Sequence, residues 1–338
     1  MPLTILASAQ LLAQLTVGGL HVEYLTNPIG IDVVQPRLSW RIESTRRNTM
    51  QAAYELQVGT SEANLTRGAN LLWDSGKVGS DASVFVDYAG PPAESRTRYY
   101  WRVRIWDTSG RASPWSSIAF WETGLLQPAD WTARWIGPPP TSSDSLPSPS
   151  PLLRRAFRVD DHARSARLYV TSLGLYELYL NGQRVGDQLF TPGWTSYHRR
   201  LQYQTYDVTS LLRPGANVIG GMLGDGWYRG HLGFFGQRNL YGRRLALRAQ
   251  LEIRYESGRT ERVPIRLTRS AQVRGVEIAF PVEHLAEAEC HHRTGRASDT
   301  QTHPAGEVLT QVEYRFARRC STDIYRTQLA HSTHRRRH

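Results

Sequence analysis

The sequence predicts an all-β protein made of two antiparallel β-sandwiches followed by an irregular C-terminal tail. Short runs of alternating apolar and polar residues recur along most of the chain, and turn-forming Gly, Pro, Asn and Asp residues separate them. Helical periodicity is nearly absent, apart from one short turn predicted at residues 208–212. At 338 residues the chain is long enough for two such domains, each with its own core.

The first sandwich is predicted over residues 20–126. Its clearest strand lies at residues 100–107, where Trp101, Val103 and Ile105 share one face and the intervening arginines share the other. Further short strands are predicted at residues 22–25, 36–42, 53–58, 73–78 and 119–124. Residues 27–32 are rich in turn formers and indicate a break between strands.

Residues 1–19 form an apolar segment ahead of this domain. A signal peptide needs a basic region before its apolar part, but the first basic residue of the chain is Arg37. The segment is also too short and too polar for a membrane span, so no membrane association is predicted. Secretion or export to the periplasm stays open.

A linker is predicted over residues 127–151. It contains three consecutive prolines, Pro138, Pro139 and Pro140, and a Ser/Pro-rich run to Pro151. That composition favours extended backbone and offers little to a packed core.

The second sandwich is predicted over residues 152–263. Apolar and polar residues alternate throughout 245–255, which predicts a strand with one buried face. Asn181-Gly182 lies between two short strand-like runs. This pair suits the two positive φ values of a type I′ turn and predicts a β-hairpin.

The sequence changes character in the tail, residues 264–338. No tryptophan follows Trp227, and seven of the eleven histidines lie from His284 onward. The tail is interpreted either as a disordered basic segment or as out-of-frame translation. No metal site or other cofactor is predicted, because the spacing of the tail's histidines and two cysteines fixes no ligand geometry.

The net charge of +11 does not by itself predict a nucleic-acid partner. The basic residues are scattered through predicted strands, and Lys77 is the sole lysine among forty arginines, which indicates a coding bias rather than a binding patch. The sequence gives no indication of the oligomeric state.

Tryptophans and tyrosines stand beside glycines between residues 167 and 242. Flat aromatic faces next to bare backbone are one way to build a shallow sugar-binding surface. The candidate carbohydrate-binding residues are Asn181, Trp194, Tyr197, Asp225, Trp227 and Tyr228. In the alternative interpretation, the aromatic residues fill the sandwich or pack against a further domain.

The ordered motifs of residues 20–263 resemble the N-terminal half of bacterial α-L-rhamnosidases. The matching segments are residues 27–32, 36–40, 73–78, 100–103, 124–126, 131–137, 175–182, 191–195 and 226–230. The resemblance implies a fibronectin type III-like domain, then a galactose-binding-domain-like jelly roll, then an (α/α)₆ barrel. It also implies hydrolysis of terminal α-L-rhamnose from a rhamnose-containing glycoside or polysaccharide.

The resemblance places the catalytic carboxylates in that barrel, and no barrel-like helical repeat follows Val263. An inverting glycosidase needs two carboxyl groups about 6.5–9.5 Å apart. The acids available in the second sandwich include Glu177, Asp187, Asp207 and Asp225, and each is predicted to be a turn or surface residue. No catalytic residue is therefore predicted, and the chain is expected to be inactive by itself. The alternative is a stand-alone carbohydrate-binding or structural module. Calcium is not predicted either, because Leu180 precedes Asn181 and offers no ligand.

Overall fold

The computed structural model describes residues 15–138, 150–233 and 236–264, and the backbone of Thr268–Arg269. The chain divides after Leu126 into two compact units. The fold is nearly all β, and each unit is a β-sandwich, which confirms the predicted fold class.

In residues 15–126, the described part of the first unit, there are eight strands and one short helix. The strands are β1 Leu15–Val22, β2 Ile29–Ile31, β3 Arg37–Ser44, β4 Gln51–Gly59, β5 Trp73–Asp74, β6 Val86–Asp87, β7 Arg98–Asp107 and β8 Ala119–Thr123. They form two sheets in the orders β1-β3-β6 and β2-β8-β7-β4-β5. The helix, α1, spans Glu62–Arg67 and begins where the Ser61 hydroxyl accepts a hydrogen bond from the Asn64 N–H.

Two details of the first unit differ from the sequence-based expectation. β1 begins at Leu15, so it overlaps the predicted apolar segment 1–19, and Leu15 and Val17 are buried in the core. The turn-rich residues 27–32 contain β2, which pairs with β8 in parallel; every other strand pair in this unit is antiparallel. β2 is three residues long, too short for an alternating pattern to show.

Side chains from both sheets fill the core of the first unit. Trp40 of β3, Leu56 of β4, and Trp101 and Val103 of β7 are almost completely buried. Burying side chains of this size contributes about 1.5–3 kcal/mol each. The predicted alternation of β7 is confirmed, because its odd-numbered residues from Tyr99 to Ile105 are buried and its even-numbered ones are half-buried.

The outward face of β7 carries a ladder of cations and aromatic rings. The guanidinium groups of Arg102 and Arg104 lie 4.4 Å and 4.7 Å from the ring centre of Trp115. Arg104 also contacts Trp106 at 5.0 Å, and Lys77 lies over the same ring at 4.6 Å. Such contacts stabilise the outward face of this sheet.

Within its described residues, the second unit contains nine strands. They are β9 Leu152–Val159, β10 Ala163–Leu173, β11 Leu175–Leu180, β12 Gln183–Arg184, β13 Gln204–Asp207, β14 Gly215–Gly224, β15 Ala246–Tyr255, β16 Thr260–Pro264 and β17 Thr268–Arg269. The sheets run in the orders β13-β10-β15-β16 and β12-β11-β14-β9-β17. A four-residue helix, α2 Gly226–Arg229, follows β14, and single 3₁₀ turns lie at Pro128–Asp130 and Thr209–Leu211.

The predicted hairpin at Asn181-Gly182 is confirmed. β11 and β12 pair through Leu180 and Gln183, and both turn residues have positive φ, 53° at Asn181 and 84° at Gly182. The turn is held from below, because the Asn181 amide donates to Asn217 Oδ1 and to the Leu211 carbonyl at 2.8 Å and 2.9 Å.

The prediction that β15 buries only one face is wrong. Nine of its ten residues are buried, including the polar residues Arg248, Gln250 and Glu252. The second face is covered by residues 130–136, here called the covering segment, which lies in the predicted linker 127–151. The Arg248 guanidinium donates to the Ala133 carbonyl at 2.9 Å, and Ile136 and Leu247 exchange backbone hydrogen bonds.

The interpretation of the tail, residues 264–338, concerns residues that lie almost entirely outside the described part of the chain. The tail histidines His284, His291 and His292 also lie outside the described part of the chain. The predicted domain boundaries stay predictions.

Candidate functional site

Two loops meet at one end of the second sandwich, where β11 begins and β14 ends. The first loop follows β12, and the second follows β14 through α2. β12 and β14 each pair with β11, and Leu175 of β11 pairs with Gly224 of β14, so both loops start from strands beside β11. The first loop is fixed to β11, because Thr191 and Tyr176 exchange hydrogen bonds of 2.7 Å and 2.9 Å.

The loops bring four aromatic residues together as an aromatic shelf, defined as Phe190, Trp194, Trp227 and Tyr241. The rings of Trp194 and Trp227 are parallel within 3°, with centroids 5.8 Å apart. Phe190 packs edge-on against Trp227 at 5.9 Å, and the Trp194 indole N–H donates to the Tyr241 hydroxyl at 3.3 Å. Trp194 is 58% exposed and Phe190 is 59% exposed, so the shelf presents flat apolar surface to solvent.

Two buried tyrosines support the shelf from behind. Tyr197 packs against Tyr228 at 5.3 Å and against Tyr241 at 5.0 Å, and its hydroxyl donates to the Gly193 carbonyl at 2.9 Å. Burial raises the pKa of Tyr197 and of Tyr228 to about 12, so both phenols are neutral at physiological pH. Both side chains are buried, so they pack behind the exposed rings of the shelf.

Phe190 is held in an unfavourable backbone conformation. Its φ is +56°, a region that bulky residues rarely adopt. Such a conformation costs about 1–3 kcal/mol, and it is common where a loop presents a side chain for a function.

Asp225 fixes the second loop through two ion pairs. One carboxylate oxygen accepts from Arg229 at 2.6 Å and the other from Arg238 at 2.6 Å. The Arg229 carbonyl also accepts from the Asn239 N–H, which ties α2 to the returning chain. Both oxygens of Asp225 are thus engaged inside the protein.

Asn181 lies far from the other candidate residues. It follows the last residue of β11, while the shelf lies beside the first. Six residues at about 3.3 Å per residue separate the two ends by roughly 20 Å. The structure therefore brings Trp194, Tyr197, Trp227 and Tyr228 together, with Asp225 beside them and Asn181 at the opposite end of the strand.

The three other candidate acids, Glu177, Asp187 and Asp207, lie in turns or are at least partly exposed. Glu177 accepts from the Tyr179 hydroxyl at 3.1 Å and pairs with Arg184 at 3.5 Å. Asp207 caps the following 3₁₀ turn through Thr209 and pairs with Arg167 at 3.0 Å. Asp187 lies exposed in the loop after β12. Among the described residues, no three or more His, Cys, Asp or Glu side chains cluster as a metal site would require.

Sequence reasoning missed Phe190 and Tyr241 as members of the shelf. Tyr241 stands next to Gly242, and the aromatic–glycine pairing that selected the other residues would have selected it too. A side chain at Gly242 would collide with Tyr228, so this glycine lets the two chain segments touch. The positive φ of Phe190 has no signal in the sequence.

Two family models match the chain in succession. The model described as "Rha78A-like, N-terminal immunoglobulin domain" matches residues 17–127. The model described as "Alpha-L-rhamnosidase N-terminal domain" matches residues 161–272. The chain carries the N-terminal domains of an α-L-rhamnosidase. The aromatic shelf thus lies in the α-L-rhamnosidase N-terminal domain.

Proteins similar in sequence to this chain are named α-L-rhamnosidases. An α-L-rhamnosidase of Streptomyces avermitilis is 31% identical, in a match that covers 72% of this chain and 39% of that protein. An α-L-rhamnosidase of an Alteromonas species is 38% identical, covering 71% of this chain and 27% of that protein. The chain thus spans well under half the length of these relatives.

Solved structures agree with the sequence comparisons. The Streptomyces avermitilis α-L-rhamnosidase, solved in complex with L-rhamnose, superposes with a TM-score of 0.67 at 31% identity. That match covers 74% of this chain and 40% of the Streptomyces chain. The Aspergillus terreus α-L-rhamnosidase gives the same TM-score at 37% identity, covering 74% of this chain and 28% of that one.

Of the helices that the structure describes, none is long and apolar enough to cross a membrane.

Proposed function

We propose that this chain is the non-catalytic N-terminal region of an enzyme that hydrolyses terminal α-L-rhamnosides. The observation that carries the proposal is the succession of two α-L-rhamnosidase N-terminal domain matches over residues 17–127 and 161–272. The relatives are named for this activity, and most of their length lies outside the part that matches this chain. The substrate in this proposal is a rhamnose-containing glycoside or polysaccharide.

The engagement of the acidic residues supports a non-catalytic role for the described sandwiches. Hydrolysis with inversion needs one carboxyl group that gives a proton and one carboxylate that activates water. Both oxygens of Asp225, Glu177 and Asp207 have partners within the protein. Asp187, the fourth candidate, lies in an exposed turn.

An activity assay tests this proposal. The purified chain is expected to release no rhamnose from an aryl α-L-rhamnoside above the buffer background. Release that co-purifies with the chain would contradict the non-catalytic role.

The genomic DNA downstream of the codon for Pro264 tests whether the chain is the N-terminal region of a larger enzyme. A reading frame that encodes a helical barrel is expected there. Without such a frame, the stand-alone module becomes the better interpretation.

Sugar binding by the aromatic shelf is a second candidate function. The exposed Trp194 ring, held parallel to Trp227, offers the flat face on which a pyranose ring stacks. Titration with L-rhamnose is expected to change the tryptophan fluorescence, and Trp194→Ala is expected to abolish the change. Trp194→Phe, which keeps an aromatic face, is expected to retain part of it. An unchanged spectrum up to millimolar rhamnose would exclude this function.

A further inference from the structure

The border of the aromatic shelf carries exposed arginines that have no acidic partner. Arg199 directly follows His198, whose ring packs against Tyr241 at 5.5 Å. Arg243 and Arg244 follow Tyr241 by two and three residues, and all three arginines are exposed. Among the described residues, none of the three forms an ion pair.

The acids close to the shelf do not balance these three arginines. Residues 185–244, which span both loops, contain three acids, Asp187, Asp207 and Asp225. Asp187 is exposed and forms no ion pair among the described residues, so it offsets one of the three arginines. Asp207 is paired with Arg167, and Asp225 is paired with Arg229 and Arg238. The exposed charge beside the shelf is therefore positive, and such a surface raises the local concentration of anionic ligands.

We propose that the aromatic shelf and its arginine border bind an acidic glycan, with a rhamnosyl ring on Trp194 and the carboxylate of a neighbouring uronic acid on the arginines. The inference rests on the second candidate function, sugar binding by the shelf, and adds the chemical class of the ligand. The two parts of the surface match the two parts of such a ligand. The indole face takes the apolar face of a deoxy sugar, and a guanidinium pairs with a carboxylate through two parallel hydrogen bonds.

Neutral glycosides are a poorer match to this surface. They would use the shelf alone and leave the three arginines solvated, so the arginines would add nothing to binding. An acidic neighbour also fixes the orientation of the sugar, because charge pairing at the border defines which end of the glycan crosses Trp194. The surface then selects for acidic chains before any hydrolysis takes place.

The test uses the purified full chain and three probes, with binding followed by tryptophan fluorescence and calorimetry. The probes are L-rhamnose, a disaccharide of α-L-rhamnose linked to glucuronic acid, and the same disaccharide with its carboxyl group reduced to an alcohol. At low salt, the acidic disaccharide is expected to bind about tenfold more tightly than its reduced counterpart. In about 1 M salt, where the Debye length is near 3 Å, most of that preference is expected to disappear.

Variants separate the two parts of the surface. Arg243→Gln combined with Arg244→Gln is expected to remove the preference for the acidic disaccharide and leave the reduced one unaffected. Trp194→Ala is expected to weaken both. The matched control is Arg164→Gln, an exposed arginine at the far end of β10, roughly 30 Å from the residues that precede β15. This control is expected to behave as the unchanged chain.

The outcomes distinguish the acidic-glycan proposal from sugar binding by the aromatic shelf alone. Equal binding of the acidic and reduced disaccharides overturns the acidic-glycan proposal and leaves sugar binding by the shelf intact. An unchanged preference in the double arginine variant also overturns it. If no probe binds, both sugar proposals fail and the shelf becomes a contact surface for another protein segment. The rhamnosidase assignment is tested separately by the hydrolysis assay and the downstream reading frame.

Discussion

The side-chain oxygen of Gln250 accepts a hydrogen bond from the backbone N–H of Thr132, with the two atoms 2.7 Å apart. The same oxygen accepts from the Thr132 hydroxyl at 2.9 Å, and the Gln250 amide donates to the Asp130 carbonyl at 2.9 Å. Gln250 is completely buried in β15. One amide therefore satisfies the polar backbone of the covering segment and makes that segment part of the second sandwich.

Replacement of Gln250 by alanine is expected to lower the free energy of unfolding of the second sandwich by about 2–4 kcal/mol. The change leaves buried backbone groups of the covering segment without partners and opens a cavity in β15. Urea unfolding followed by tryptophan fluorescence measures it. Gln183→Ala, an exposed position in β12, is the control and should shift the stability by less than about 0.5 kcal/mol. Equal effects would contradict the role given to Gln250.

The fold was predictable where the signal is local. The alternation of β7 follows from Trp101, Val103 and Ile105, and the hairpin follows from the backbone preferences of Asn181-Gly182. The second buried face of β15 was not predictable, because the partner of Gln250 lies more than a hundred residues earlier in the chain. Polar residues at alternate positions normally indicate solvent, and only the tertiary fold brings Asp130 and Thr132 to cover them.

The site was predictable in part for the same reason. Trp194 and Trp227 are predictable as candidates because each stands beside a glycine, and their rings are stacked in the structure. Asn181 is also a candidate from the sequence, yet the length of β11 places it at the other end of the sheet. The contribution of Phe190 depends on a backbone conformation that no residue type encodes.

Removal of the Trp115 side chain is expected to destabilise the first sandwich by about 1–2 kcal/mol. Trp115 contacts the guanidinium groups of both Arg102 and Arg104, and each cation–π contact contributes about 0.5–1 kcal/mol at an exposed site. Burial and the adjacent Arg104 lower the pKa of Arg102, which means that they disfavour its charged form. The electron-rich ring of Trp115 contacts both guanidinium groups and offsets part of this effect.

The measurement compares Trp115→Ala with Trp115→Phe by thermal unfolding. Phenylalanine keeps an aromatic face, so it should lose clearly less stability than alanine does. High salt should not reduce the difference as strongly as it would for an exposed ion pair, because the contact is also a packing contact. If the two variants are equally destabilised, the ring's contact with the arginines is not what stabilises this face.

Asp225→Asn is expected to destabilise the second sandwich by about 2–4 kcal/mol. The change leaves Arg229 and Arg238, whose side chains are 8% and 12% exposed, without their carboxylate. The value lies toward the lower end for buried pairs, because the Asp225 side chain itself is 26% exposed. Asp187→Asn, in an exposed turn, is the matched control and should leave the urea midpoint in place.

The same pair of variants tests whether Asp225 has a structural role in the second loop or binds sugar directly. If Asp225→Asn and Asp187→Asn have the same urea unfolding midpoint, the two ion pairs of Asp225 do not stabilise the second loop. A stable variant that loses rhamnose binding would give Asp225 a direct role in the site.

The buried tyrosines behind the shelf are expected to make the second sandwich sensitive to alkali. Burial raises the pKa of Tyr228 from an ordinary value of 10.0 to about 12. Between these two values the folded protein keeps a proton that the unfolded chain has released. The stabilising contribution is thus fully present below pH 10, and it is lost as the pH rises toward 12.

Tyr228→Phe is therefore expected to flatten the fall in stability across this pH range. One tyrosine with this shift contributes a slope of about 1.4 kcal/mol per pH unit, because it makes the difference in bound protons one. Urea midpoints measured at several pH values between neutral pH and pH 12 give the slope for each protein. Below pH 10 the curves of the unchanged chain and of Tyr228→Phe should run parallel, since the Tyr228 phenol stays protonated there in both the folded and the unfolded state. Curves that stay parallel up to pH 12 would show that Tyr228 ionises as readily in the folded sandwich as in the unfolded chain.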